Sequence, residues 1–158
     1  YNAFSDDQKH RLTFKAVIIY DGDSLKVEGA DLVLMVRLVG IDAPESGRKN
    51  VPGQPYSRKA KDALVQMIGN RPFQMKSYGT GGYNRLLSEL FTPDGKNVNL
   101  EMVKLGLAEV YQGRPPNGFD KAPYLAAESR AKSLRLGMWR LGQNYQSPKQ
   151  WRRAHPRK

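Results

Sequence analysis

The sequence predicts a mainly-β domain of the α+β class, on three observations. Apolar runs of strand length recur between residues 12 and 91, separated by tight turns rich in Gly and Asp. Three segments place apolar residues at helical spacing. The chain has 158 residues, which fits one domain.

The elements follow in order. Residues 1–11 are polar and charged and read as a flexible N-terminal arm. Residues 12–20 form a first strand, ended by Asp21-Gly22-Asp23-Ser24. Residues 25–27 continue as a second strand, Gly29 breaks it, and the apolar run 32–39 is a third. Short strands with tight turns predict an antiparallel meander. Residues 46–55 form a polar loop with two prolines and two glycines, and a loop of that length is expected to be functional or mobile. Ala60, Leu64 and Met67/Ile68 then mark the apolar face of a helix over 56–68, stopped by Gly69 and Asn70. Residues 73–78 and 85–91 are the fourth and fifth strands, joined through the flexible tip Gly79-Thr80-Gly81-Gly82. A short helix over 99–105 has Asn97 or Asn99 as its cap and Gly106 as its stop. After an extended piece at 107–111 and a Pro/Gly loop at 112–123, Ala127, Ala131, Leu134 and Met138 give a last helix its apolar face. Five strands and about three helices, the first helix falling between strands three and four, fit a five-stranded Greek-key barrel of the OB type. The domain is read as residues 12–141, and residues 142–158 as a basic C-terminal tail.

Composition narrows the function. Cysteine is absent, which excludes disulfides, thiolate metal sites and a cysteine nucleophile. No apolar run approaches the roughly 18 residues of a membrane span. Tyr1 is not a start methionine, and a processed chain is expected. Net charge is +11, unevenly spread. Nine of the 26 basic residues lie in 129–158 with no acidic one, leaving 17 basic against 15 acidic residues before them. A polyanion such as DNA or RNA is the natural partner of that end; a solvated tail that aids solubility is the alternative.

The chemistry concentrates at residues 37–45, Arg-Leu-Val-Gly-Ile-Asp-Ala-Pro-Glu. Arg37 is the one charge in an apolar strand and needs an anion, because an unpaired guanidinium in a dry place costs several kcal/mol, roughly. Asp42 and Glu45 follow within eight residues. Upstream, Asp21 and Asp23 point to the same side if extended. Plain readings exist as well: an arginine paired to its own loop, and a hairpin turn at Asp-Gly.

Tyr-Asp-Gly-Asp-Ser at 20–24, Val-Arg-Leu-Val-Gly-Ile-Asp-Ala-Pro-Glu at 36–45, Tyr83-Asn84-Arg85, and residues 99–108 occur in order. Together they resemble the staphylococcal nuclease (thermonuclease) family, over about residues 15–139. The resemblance implies the OB barrel and a calcium-dependent hydrolysis of DNA and/or RNA that leaves 3′-phosphate ends. It implies Asp23, Asp42 and the Ala43 carbonyl as calcium ligands; from the residues alone, Asp21 is a further candidate. It implies Arg37, Arg85 and Glu45 as catalytic, and Tyr83 and Tyr111 as substrate-contacting tyrosines. It also suggests a secreted or periplasmic monomer.

Those residue types suit that chemistry. Two arginines on different strands can clamp one phosphate, since the planar fork binds two oxygens at once. Carboxylate and carbonyl oxygens suit a hard dication. A glutamate can activate or orient water. Two departures stand out. Gly81 and Gly82 occupy positions where the family has an acidic and a basic residue, and Asn84 replaces a glycine. Asn tolerates the left-handed conformation that the turn needs. The tyrosines read equally well as barrel packing.

Overall fold

The computed structural model describes residues 12–157; the expected N-terminal arm lies outside them. Strands β1 (Lys15–Asp21), β2 (Ser24–Gly29) and β3 (Leu32–Leu38) form the predicted antiparallel meander, with Asp21 and Ser24 flanking the first hairpin turn. The next pair of strands is β4 (Ile41–Asp42) with β7 (Glu109–Val110), each two residues long and antiparallel. β5 (Gln74–Thr80) and β6 (Leu86–Phe91) complete a five-stranded sheet in the order β1-β2-β3-β6-β5. Phe14 and Phe73, next to the outer strands β1 and β5, exchange both backbone hydrogen bonds, at 2.8 and 2.9 Å, in one isolated bridge between the two edges. The strand order is that of the expected OB-type fold.

The pairing of β3 with β6 is parallel, with Val36 opposite Leu86 and Arg37 opposite Leu87. A parallel neighbour needs a long crossover. Here the crossover contains helix α1 (Ser57–Ile68) and strand β5. α1 buries Ala60, Leu64 and Ile68, the face read from its spacing. These pack with Leu25, Val27, Val36, Leu38, Phe73 and Leu90 in the barrel core.

Helix α2 (Val98–Lys104) settles the two asparagines. Asn97 is the cap, accepting from Leu100 N. Asn99 is fully buried; it accepts from Leu90 N and donates to Val39 O and Ser88 O. It ties β6 to the turn after β3, the strand end from which the site grows.

The C-terminal part differs from expectation. Helix α3 (Ala122–Ser133) stops before Leu134, and Met138 sits in a separate short helix, Gly137–Asn144. Arg135 and Gly137 both have φ 53°, a left-handed break that one continuous helix does not accommodate. The break lets backbone meet backbone: a Cβ on Gly106 would stand 2.2 Å from Leu136 O, and Met138 N donates to Gly106 O at 2.9 Å. Burying Met138 rewards this path, while Leu134 is left exposed. Helix α4 (Pro148–Ala154) follows, with Ser147 and Gln150 forming a capping box. Among the described residues no helix is long and apolar enough to cross a membrane.

Candidate active site

The site is built at the ends of β1 to β4 and β6. Gly22 in the β1–β2 turn lies against Ala60, Ala43 and Met102, where a Cβ would come within 2.8 Å of Ala60 Cβ. Only glycine lets the turn sink this far, and its depth carries Asp23 into the interior. Asp23 is 5% exposed. Its Oδ2 accepts from Ala43 N at 2.6 Å and from Arg37 Nη1 at 2.9 Å. The Asp-Gly-Asp segment is therefore the hairpin turn, and the turn delivers Asp23 into the interior.

Arg37 meets the anions its burial demanded. Besides Asp23, its Nη2 stands 3.6 Å from Asp42 Oδ1 and donates to Ile41 O at 3.2 Å. Burial works against its charge, but Asp23 and Asp42 outweigh burial and raise its pKa. Arg85 precedes β6, next to the parallel register that sets Arg37 opposite Leu87. Its Nη1 donates to Ser24 Oγ at 3.1 Å, and Ser24 is the β2 partner of Arg37. Arg85, just before β6, thus reaches the strand partner of Arg37. Burial, then the neighbouring Arg37 charge, lower the Arg85 pKa.

Both candidate tyrosines lie on these arginines. The Arg37 guanidinium carbon is 5.7 Å from the centroid of Tyr111, and that of Arg85 is 5.7 Å from Tyr83. Tyr83 is 92% exposed, which excludes barrel packing for it. Tyr83 and Asn84 hold φ of 60° and 56°, so asparagine does take the left-handed turn.

Asp21 Oδ1 accepts from Asp23 N at 3.1 Å. Burial, and then the Asp23 charge, push its carboxyl up to about 9. Among the described residues no three His, Cys, Asp or Glu side chains form a ready-made metal cluster. The expected ligands Asp23 and Asp42 are both buried and both face Arg37, and Ala43 N donates to Asp23. Their hard oxygens fit a calcium-type ion whose shell is completed by water.

Glu45 sits where the chain leaves β4. Its backbone N–H donates to Gln54 Oε1 at 3.0 Å, and its carbonyl accepts from Gln54 N at 2.9 Å. Arg48 and Val51 also exchange backbone hydrogen bonds. The 46–55 loop is thus a closed, hydrogen-bonded excursion. Its prolines and glycines serve that tight geometry.

The largest difference from the sequence reading is in the last helix. Arg152 of α4 reaches the centre of the site. Its Nη1 and Nη2 bind Asp42 Oδ1 and Oδ2 at 2.9 and 2.8 Å, and Nη1 also binds Glu45 Oε1 at 2.8 Å. These hydrogen bonds to Asp42, opposed by burial and reinforced by Glu45, raise its pKa. In the sequence Arg152 is one of nine basic residues near the end, and nothing in its neighbours distinguishes it. Glu109 is hidden in the sequence for a similar reason. It faces Asp42 across the β4–β7 pair and is 5% exposed. Burial pushes its carboxyl up to about 7, although Tyr145 donates to it at 2.9 Å.

A family model described as staphylococcal nuclease homologue matches residues 35–141. A probable endonuclease LCL3 of Candida albicans (strain WO-1) is 37% identical over 132 residues, covering 80% of this chain and 56% of the relative. One from Debaryomyces hansenii is 36% identical over 132 residues, with the same coverage. One from Phaeosphaeria nodorum is 34% identical over 122 residues, covering 74% of this chain and 41% of the relative. The chain spans about half the length of the curated relatives it matches.

Proposed function

The chain belongs to the staphylococcal nuclease family, and from that premise we propose that it is a calcium-dependent endonuclease hydrolysing DNA and/or RNA to 3′-phosphate ends. The observation that carries the reading is that Arg85 binds Ser24, the strand partner of Arg37, beside the carboxylates Asp23 and Asp42 that face Arg37. A purely binding barrel has no use for buried carboxylates in a phosphate site, because they repel the substrate.

In this reading one phosphate of the substrate lies between the two guanidinium groups. Arg37 is held from behind by Asp23 and Ile41 O, so its fork is oriented before substrate arrives. Arg85 approaches from the β6 side. Tyr111 and Tyr83 lie against the two arginines and offer ring faces to the neighbouring sugar and base. Glu45 takes a proton from the attacking water, whose oxygen bonds to phosphorus. The bond from phosphorus to the 5′-oxygen breaks, that oxygen gains a proton, and the phosphate stays on the 3′ side. A calcium ion held by Asp23, Asp42 and the Ala43 carbonyl would neutralise charge developing on the phosphoryl oxygens.

The test is incubation with supercoiled plasmid and with single-stranded DNA and RNA, in calcium and then in excess chelator. Cleavage in calcium, its loss in chelator, and product ends that resist 3′ extension until treated with phosphatase are expected. Retention of substrate without cleavage under both conditions would identify a binding module instead.

A further inference from the structure

We propose that Arg152 is the built-in counter-ion of the carboxylate site and exchanges with the divalent cation there, so that the site holds either the guanidinium or the metal. This rests on the calcium reading above.

The geometry is that of a competitor. Arg152 engages both oxygens of Asp42, and Asp42 is 2% exposed and already flanked on its other side by Arg37. A dication on Asp42 would therefore stand between two guanidinium groups. The same Arg152 nitrogen also binds Glu45 Oε1. Docked Arg152 thus occupies oxygens of both Asp42 and Glu45, and stands in the way of a metal on the one and of a water on the other. It is well suited to a resting state. Without a cation, Asp21, Asp23, Asp42 and Glu45 would face one another with Arg37 as their near partner.

The exchange needs only a side-chain movement. Helix α4 is held by contacts that do not involve Arg152. Ser147 and Gln150 cap it, Gln54 Nε2 donates to Gln146 O at 2.8 Å, and Arg48 Nη2 donates to His155 O at 2.6 Å. Gln54 is the residue that also anchors Glu45, so the helix is tied to the loop carrying the base. The Arg152 side chain is itself 40% exposed and has solvent to swing into. Released, it remains tethered at the mouth of the site with its charge free for a phosphate.

The experiment is calorimetric titration of calcium chloride into the full chain without nucleic acid, comparing the parent, Arg152→Met, Arg152→Lys and Arg157→Met. Thermal unfolding confirms that each variant is folded. Competition predicts that Arg152→Met binds calcium at least tenfold more tightly. Arg152→Lys keeps the charge without the fork and should fall between it and the parent. Arg157→Met removes the same charge away from the site and should stay within about twofold of the parent. A role in merely positioning the carboxylates predicts the opposite sign, weaker binding in Arg152→Met. That result, or equal affinity in parent and variant, overturns the exchange while leaving the calcium site standing. An equal gain in Arg157→Met overturns it as a net-charge effect. Absence of calcium binding in every protein removes the metal reading itself, and the exchange with it.

Discussion

Asp23→Asn separates the chemical from the structural role of a deeply set carboxylate. Its structural cost follows from its partners. Asp23 is 5% exposed and holds Arg37 at 2.9 Å and Ala43 N at 2.6 Å. Removing one member of a buried ion pair costs about 3–5 kcal/mol when the other is stranded. Arg37 is not fully stranded, since Asp42 lies 3.6 Å away and Ile41 O accepts from it. The asparagine carbonyl can also still accept from Ala43 N. These leave a net destabilisation of about 2 kcal/mol. At pH 7 the Asp21 carboxyl, raised to about 9, keeps its proton, so relief of repulsion returns little. Domains of this kind have about 5–15 kcal/mol of stability, and the fold should survive with a Tm lower by about 4–8 °C. Calcium-dependent cleavage should fall to background because a ligand charge is gone. The assays are urea unfolding in chelator at pH 7 and plasmid cleavage in calcium. An Asp23→Asn protein as stable as the parent, and still cleaving at the parent rate, would refute both the ion-pair accounting and the metal assignment.

Three further outcomes follow from the same geometry. Arg85→Lys keeps the charge and removes the fork, and should lower kcat/KM by the equivalent of about 3 kcal/mol, on the scale of one missing charged donor; a rate within about twofold of the parent would make Arg85 structural. Asp21→Asn should remove a pH dependence of stability: a carboxyl raised from 3.8 to about 9 on folding makes the metal-free protein most stable below its unfolded pKa, with that stability declining as pH rises towards about 9. Unfolding in chelator at pH 5 and pH 9 should therefore show a smaller difference for Asp21→Asn than for the parent. Lys149→Gln with Arg153→Gln should flatten the salt dependence of duplex DNA binding by at most about 0.9 log units for each phosphate no longer neutralised, with turnover unchanged; equal salt slopes would leave these two charges as solvation only.

Much of the barrel and most of the site are legible in the chain order of residues. Local chemistry writes itself into local sequence. Asp-Gly-Asp must turn, Ala60, Leu64 and Ile68 must share a helix face, and a lone arginine in an apolar strand must find an anion. Arg37, Asp23, Asp42 and Glu45 are therefore readable, and so is the tolerance of Asn84 for a positive φ. What the tertiary structure decided are the pairings between segments far apart in the chain. The parallel β3–β6 register brings Arg85 to Ser24 and Arg37. The close crossing at Gly106 and Gly137 ends α3 early and redirects the chain back over the barrel. That path delivers α4, and Arg152 crosses a sequence separation of 110 residues to reach Asp42. The nine basic residues of the C-terminal end are alike as charges. Which of them enters the site depends on the position of one short helix, and that position is set by Gln54 and Arg48 binding the carbonyls of Gln146 and His155 from a loop far upstream in the sequence.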